Sequence, residues 1–389
     1  MAPRGTEHVA LVHALGRVLA VEIASPHDLP PFDRSLVDGW AVRAADTETA
    51  SQQTPARLRH AGEIRMGAPA RIAVGPGEAV RIPTGGMLPQ GADAVAMQEH
   101  VQTGAGEVAV ERAVKAGENV VAAGADVRTG RVVFARGRRL RAPDLGILAG
   151  IGRPRVQVTL QPRVAILSTG DEVLAAEDPL QPGTVRDMNG AALAGAVLAS
   201  GGIPEILGVV RDEMAPVEAA LRRAVAGYDM VLVSGGSSVG ERDIVTDAIA
   251  RLGPPGIIVH GIAVRPGKPT VLAAVGPVPV IGLPGNPVSA LVIFDLFARP
   301  VLERLLGMDP ASRGWHRVRA RLAFRLPSAG PREDHRRVKL EMRADGLWAA
   351  PLPTGSQILT SLTEADGIVV VPLGGDGFAA GAEVEVQLL

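Results

Sequence analysis

The sequence predicts a multidomain protein of α/β plus β class: a central parallel-sheet α/β domain, an inserted β-rich domain and a C-terminal small β barrel. Three observations carry this. Between Arg163 and about Leu306, short apolar runs alternate with helical patterns, the signature of a parallel sheet covered on both faces. On either side lie short apolar runs punctuated by Gly and Pro, the texture of β-rich units. At 389 residues the chain is too long for one ordinary core. The boundaries this suggests are 1–41 with 128–160 for an N-terminal helical and linker domain, 42–127 for the insertion, 161–307 for the α/β domain and 308–389 for the barrel.

Composition excludes several classes. Formal net charge is −1 and aromatic residues make up 3%, so nothing draws the whole chain to nucleic acid or an anionic membrane. There is no cysteine, which removes disulfides, thiolate metal sites and a cysteine nucleophile. No apolar run approaches the ~20 residues of a membrane span. The first residues carry His8, His13 and Arg17, unlike a signal peptide, and the cytoplasm is the expected location.

In chain order, Val9, Leu11, Val12, Leu15 and Leu19 have helical spacing and predict a helix over 7–20. Pro30 and Pro31 forbid helix next, and Asp38-Gly39 marks a turn able to present a carboxylate. Strands are expected at Ala79–Ile82, Ala94–Met97, Val108–Val110 and Val120–Val121, and a short helix over 141–153. The α/β domain should have strands Val164–Ser168, Glu205–Val210, Met230–Ser234 and Val278–Leu283. Its helices should lie near 189–200, 213–226, 242–252 and from Pro287 to about Leu306. The tail reads as strands at Trp315–Leu326, Val338–Met342, Trp348–Leu352, Gly367–Leu373 and Glu383–Leu389. Asp345-Gly346 supplies a hairpin turn.

Ligands of open α/β sheets bind beyond the carboxyl ends of the strands. Those ends carry Ser168, Thr169, Gly170, Asp171 and Glu172, then Arg211-Asp212, then a glycine loop with Ser234, Gly235, Gly236, Ser238 and Gly240 running to Asp243. The last strand is followed by Pro284, Gly285 and Asn286, with Asn286 at a helix N-cap, Pro287 first in the helix and Ser289 near its start. Arg265 and Lys268 flank Pro266-Gly267. The loop is not a Walker A motif, for no Lys-Ser/Thr follows it, nor a dinucleotide fingerprint. Glycines, cations and helix N-termini hold oxyanions, whereas carboxylates repel phosphate unless a metal such as Mg²⁺ bridges them. A carboxylate also accepts two hydrogen bonds from an aminopyrimidine edge. The mixture points to a phosphorylated heterocycle with a divalent ion. No Ser-His-Asp or HExxH arrangement occurs among the eight histidines.

These motifs together resemble the molybdopterin molybdenumtransferase family, the MoeA proteins and the E domain of gephyrin. The likeness runs through Pro31-Phe-Asp-Arg-Ser-Leu-Val-Asp-Gly-Trp-Ala, Arg81-Ile-Pro-Thr-Gly-Gly, Ser168-Thr-Gly-Asp-Glu, Asp187-Met-Asn, Ser234-Gly-Gly-Ser-Ser-Val-Gly, Pro266-Gly-Lys-Pro and Leu283-Pro-Gly-Asn-Pro-Val-Ser. The resemblance implies a MogA-like α/β domain and a homodimer. It implies adenylyl-molybdopterin and molybdate as substrates, AMP as product and Mg²⁺ as the assisting ion. It assigns Asp38, Thr84 and Asp126 to the cleft from the N-terminal half, and Glu172, Asp212, Asp243, Lys268 and Ser289 from the α/β domain. The five aspartate and glutamate residues of that set are the expected catalytic groups, with Asp243 and Glu172 on the metal. Molybdopterin adenylyltransferase and molybdoenzyme-maturation proteins are the partners it suggests.

The sequence departs from the family pattern at Trp40, where Tyr is common, at Val121-Ala122-Ala123, where an Arg is usual, and at Gly261 and Arg265, which take the places of lysines. Loss of cations at Val121 and Gly261 predicts weaker anion binding. Two competing readings are a paralogue that uses tungstate and a non-catalytic scaffold that binds molybdopterin.

Overall fold

The computed structural model describes residues 3–235, 244–309, 316–328 and 330–389. The chain forms two compact units, one of Val9–Leu15 with Val21–Val156, the other of Met1–His8, Gly16–Ala20 and Gln157–Leu389.

The first unit is built on a six-stranded sheet whose order is Ala94–Met97, Gly39–Val42, Glu78–Ile82, Ala56–Glu63, Glu107–Val110, Val101–Gly104. All four residues of Gly39–Val42 are buried. Successive strand residues face opposite ways, so Trp40 and Val42 enter one core with Leu58 and Val108, while Ala41 enters another with Ile64 and Val80. Gly39 is required by close approach: a Cβ there would overlap the Ala96 carbonyl oxygen of the neighbouring strand. The helix Ala142–Gly150 forms as expected, with proline in its first turn.

The helix expected over 7–20 does not form. Thr6–Ala10 is a strand and Leu11–His13 a single 3₁₀ turn. Short helices are held by packing of an apolar face, and here Val12 is 82% and Leu15 62% exposed. Gly16, at φ +75°, turns the chain away.

In the second unit a six-stranded sheet has the order Ile203–Val210, Arg163–Thr169, Met230–Ser234, Val278–Leu283, Val271–Val275, Pro255–His260. The first four strands are parallel, and the last two are antiparallel. Val164, Ile166, Met230 and Leu232 pack on one face beneath the helix Asn189–Ser200 and the helical stretch that starts at Pro287. Ala165, Leu167, Val231 and Val233 pack on the other, beneath Met214–Gly227 and Ile244–Ala250. Double-sided burial explains why these strands read as unbroken apolar runs. The antiparallel pair was not expected from the sequence. The signal for Val271–Val275 is a tight hairpin through Gly276-Pro277 to Val278–Leu283, with Val275 opposite Val278.

The helix expected from Pro287 to about Leu306 is interrupted: Pro287–Ile293 is α, Phe294–Ala298 is a π turn, and Arg299–Leu305 is α again. Pro300 has no N–H to give to the carbonyl four residues back, and a widened turn accommodates that gap.

The C-terminal strands Glu333–Arg343, Gly346–Pro351, Arg317–Leu322, Glu383–Leu388 and Gly367–Val371 close on themselves as a five-stranded barrel. Strand positions around 315 lie outside the described residues, and the expected run to Leu326 breaks after Leu322. A short strand from the α/β region, Val264–Arg265, joins the barrel parallel to Glu333–Arg343 and sets Arg265 opposite Asp334.

Candidate functional site

The carboxyl ends of the parallel strands are level. Ser168 pairs with Ser234, Ser234 with Leu283, and Thr169 with Val210. Beyond them opens a cavity of about 460 Å³ lined by Ser168, Thr169, Glu172, Asp212, Ser234, Gly235, Pro284, Gly285 and Asn286, together with Asp187, Met188 and Asn189. Nine of the expected site residues thus converge.

Gly235 has φ +112°, and a Cβ on it would overlap the Thr169 carbonyl oxygen. The strand end and the turn therefore approach as only glycine allows. Gly170, at φ +146°, makes the turn that brings Asp171 back to Asp212, whose N–H donates to Asp171 Oδ1 at 3.2 Å. Neither Gly170 nor Asp171 lines the cavity.

Burial pushes the Asp212 carboxyl above the usual carboxylate range; the Thr169 hydroxyl pulls the other way, and the charges of Asp171 and Glu172 add to the rise. Thr169 Oγ1, Asp212 Oδ1 and Asn189 Oδ1 are buried and lack a well-formed hydrogen bond among the described residues. Native proteins leave few such atoms unpartnered. All three residues line the cavity, where the Thr169 hydroxyl still acts on the Asp212 carboxyl. Among the described residues no group of three His, Cys, Asp or Glu side chains forms a metal cage. Asp243 lies outside the described residues, as do Gly236, Ser238 and Gly240.

A second cavity, of about 450 Å³, shares Pro269, Pro284 and Asn286 with the first. Arg265, Lys268 and Ser289 line it, as expected, and so do Arg332, Arg336 and Arg337 of the barrel. One buried carboxylate faces these cations: Asp334 lies 3.6 Å from both Arg265 and Arg336 and accepts from the Ser328 hydroxyl at 3.1 Å. Arg337 is buried, donates to the Pro353 carbonyl at 2.6 Å, and has no partner for Nε among the described residues. Burial, reinforced by the neighbouring Arg336, lowers its pKa, with Asp334 opposing. A desolvated guanidinium of this kind is relieved by an anion.

Asn286 is at the N-cap position, but its side chain makes no capping hydrogen bond; it borders both cavities instead. Gly261 is exposed and lines neither. In the other unit Asp38 Oδ1 accepts from the Thr84 N–H at 2.8 Å. Asp126 sits in a turn where its N–H donates to the Leu29 carbonyl at 3.0 Å.

Sequence reasoning did not name Asp187 and Asn189 as site residues, although the Asp187-Met-Asn motif before a helical pattern was a usable signal. Arg332, Arg336 and Arg337 gave none, because only the closure of the barrel and the added strand bring them to Lys268.

Three family models match the chain: MoeA N-terminal region (domain I and II) over residues 1–152, Probable molybdopterin binding domain over 165–304, and MoeA C-terminal region (domain IV) over 319–389. A molybdopterin molybdenumtransferase of Nostoc sp. is 36% identical over 392 residues, covering 99% of this chain and 89% of the relative. That of Bacillus subtilis is 35% identical over 390 residues, covering 99% and 90%. The crystal structure of a molybdopterin biosynthesis MoeA protein from Pyrococcus horikoshii superposes with a TM-score of 0.81 at 39% identity, covering 100% of this chain and 95% of that one. The chain therefore belongs to the molybdopterin molybdenumtransferase family and is an enzyme of molybdenum insertion in molybdenum cofactor biosynthesis.

Proposed function

We propose that the protein takes adenylyl-molybdopterin and molybdate, releases AMP and leaves molybdenum on the molybdopterin dithiolene. One observation carries this assignment: a cavity rich in arginine and lysine adjoins one lined by hydroxyls, carboxylates and Arg186, and the two share Pro269, Pro284 and Asn286. The cationic one suits a tetrahedral oxyanion, which Arg265, Lys268 and Arg337 would grip through charged N–H groups. The other offers hydroxyls and carboxylates to the pterin nucleotide. Side by side, the two hold their ligands within reach of each other, and proximity of this kind contributes several kcal/mol to a reaction, on the order of 7–11 at best. No nucleophilic triad is needed, because charge stabilisation and positioning supply the catalysis.

The residues fit Mg²⁺ by donor chemistry: Glu172 and Asp212 are hard oxygen donors lining one cavity, and burial there disfavours the bare Asp212 charge. When bound, the ion neutralises phosphate charge. Asp243, from its place in the sequence, belongs to the same proposal. So do Asp38, Thr84 and Asp126, on resemblance alone. The homodimer, the cytoplasmic location and the partner enzymes rest on the same footing. Among the described residues no helix is long and apolar enough to cross a membrane.

The test is release of AMP from adenylyl-molybdopterin by the purified protein with Mg²⁺, with molybdate and tungstate in parallel reactions. Molybdate-dependent release is expected. AMP release independent of any oxyanion would sink the assignment, and a preference for tungstate would replace the substrate.

A further inference from the structure

Two side chains on one short stretch, Asp187 and Asn189, join three strand ends to the start of one helix. Ser168 and Ser234 are direct partners in the parallel ladder. Each is 3% exposed, and both line the carboxylate-bearing cavity. Neighbouring strands are about 4.8 Å apart, so the two hydroxyls form a fixed pair on the cavity floor.

Each hydroxyl has one of its hydrogen-bonding roles already taken. Ser168 Oγ donates to Asp187 Oδ2 at 2.8 Å. A carboxylate only accepts, so the proton of Ser168 is committed and its lone pairs are what remain for a ligand. The other Asp187 oxygen accepts from the Gly190 N–H at 3.0 Å, in the first turn of Asn189–Ser200. Asn189 settles Ser234 in the opposite sense. Its Nδ2 lies 2.8 Å from the Gly285 carbonyl oxygen, and a carbonyl also only accepts. The amide therefore has its NH₂ on this side. The same nitrogen donates to Ser234 Oγ at 2.5 Å. Ser234 is the acceptor in that bond, and among the described residues its own proton is left for a ligand.

The geometry points to Asp187 and Asn189 as positioning residues that set the polarity of the cavity floor, making Ser168 an acceptor and Ser234 a donor for a heterocycle edge with N–H beside an acceptor atom. The inference rests on the reading that this cavity holds the pterin nucleotide. Both halves of that ligand carry such an edge. The aminopyrimidinone of the pterin places N–H next to C=O, and adenine places its amino group next to a ring nitrogen. The shared chemistry is what the floor reads, and the source is decided by titration.

Asp187→Asn is close to isosteric and reverses one end of the pattern. Its Oδ1 can keep the Gly190 N–H, and its Nδ2 then donates to Ser168 Oγ. The serine proton is released toward the ligand, where it meets N–H instead of a lone pair. The full-length protein is titrated separately with pterin, by fluorescence, and with AMP, by calorimetry. Asp187→Asn is expected to weaken one of the two probes by about 10- to 100-fold, the size of one charged or mismatched hydrogen bond, with the melting temperature unchanged. The probe that responds is the one lying on the serines. Ser168→Ala should weaken the same probe, and adding Asp187→Asn to it should have no further effect. Ser234→Ala leaves Asp187 untouched and should weaken that probe by a similar factor. Wild-type binding of both probes by Asp187→Asn or by Ser234→Ala overturns the inference. So does a loss in Asp187→Asn that persists undiminished when Ser168 is already alanine, since that is a structural effect. If Ser168→Ala binds both probes as wild type does, or neither probe binds at all, the placement of the nucleotide in this cavity fails first and the inference falls with it.

Discussion

Replacing Asp212 by asparagine should make the protein more stable and inactive. Burial raises the Asp212 carboxyl above its ordinary pKa, the Thr169 hydroxyl opposes this, and Asp171 and Glu172 add to it. The folded value therefore stands above the unfolded one, and ionisation of Asp212 opposes folding. Below the unfolded value, about 3.9, both states hold the proton and no penalty exists. The penalty grows as pH rises from there and is complete above the folded value. The substituted asparagine carries no charge at any pH, so its advantage should follow the same curve. Relieving a destabilised functional site typically gains about 0.5–2 kcal/mol. Asp212 is half-buried rather than fully enclosed, and solvent screening puts the gain at the lower end. With roughly 2–4 °C per kcal/mol for a unit of this size, the expected rise in Tm is about 1–4 °C at pH 7.5, shrinking toward nothing at pH 4. Calorimetric scans across that range, with and without Mg²⁺, read it directly. Mg²⁺ should stabilise the wild type more than Asp212→Asn, while AMP release is lost in the variant. A variant no more stable than wild type at pH 7.5, or one whose advantage is equal at pH 4 and 7.5, would refute the reasoning.

Arg337→Met should raise half-saturating molybdate by about 10-fold or more, the loss of a charged hydrogen bond. Its effect on Tm should be small, because the lost bonds to Pro353 and Gly355 are offset by removal of a buried cation; an unchanged molybdate titration would take Arg337 out of the anion site. Gly235→Ala should cost about 1–3 kcal/mol or more in stability, since alanine meets both an unfavourable φ and the Thr169 carbonyl. A denaturant midpoint equal to wild type would show that the strand end yields where the structure has it tightly packed.

The α/β region was legible because its physics is local. Unbroken β-branched runs such as Met230–Ser234 suit strands buried on both faces, and ligand groups of such sheets lie in the turns beyond them. Ser168, Thr169, Glu172, Asp212, Ser234 and Gly235 were found that way, and they do line one cavity. The N-terminal helix was misread because spacing alone does not say whether an apolar face has anything to pack against, and Val12 and Leu15 do not. Val271–Val275 escaped because the hairpin at Gly276-Pro277 that joins it to Val278–Leu283 has a weak turn signal. The arginines of the cationic cavity were out of reach for a different reason. Arg332, Arg336 and Arg337 meet Lys268 only through pairings between distant segments, and such register leaves no trace in local pattern. Gly261 lines neither cavity, and the cations beside Lys268 come from Arg265 and the barrel.

The two-residue strand Val264–Arg265 has a bearing on how this protein can be altered. It leaves the α/β region and docks on the barrel strand that carries Asp334, Arg336 and Arg337. The barrel is thus not a detachable appendage that begins where the last helix stops. Part of its edge is encoded some seventy residues upstream, inside the segment that also supplies Lys268. A chimera that exchanged only the C-terminal portion with a relative would pair a foreign edge with a native strand, and the arginine cluster would inherit the mismatch. The heritable module is the two segments together, and substitutions in one are constrained by the other across the intervening strands and helices.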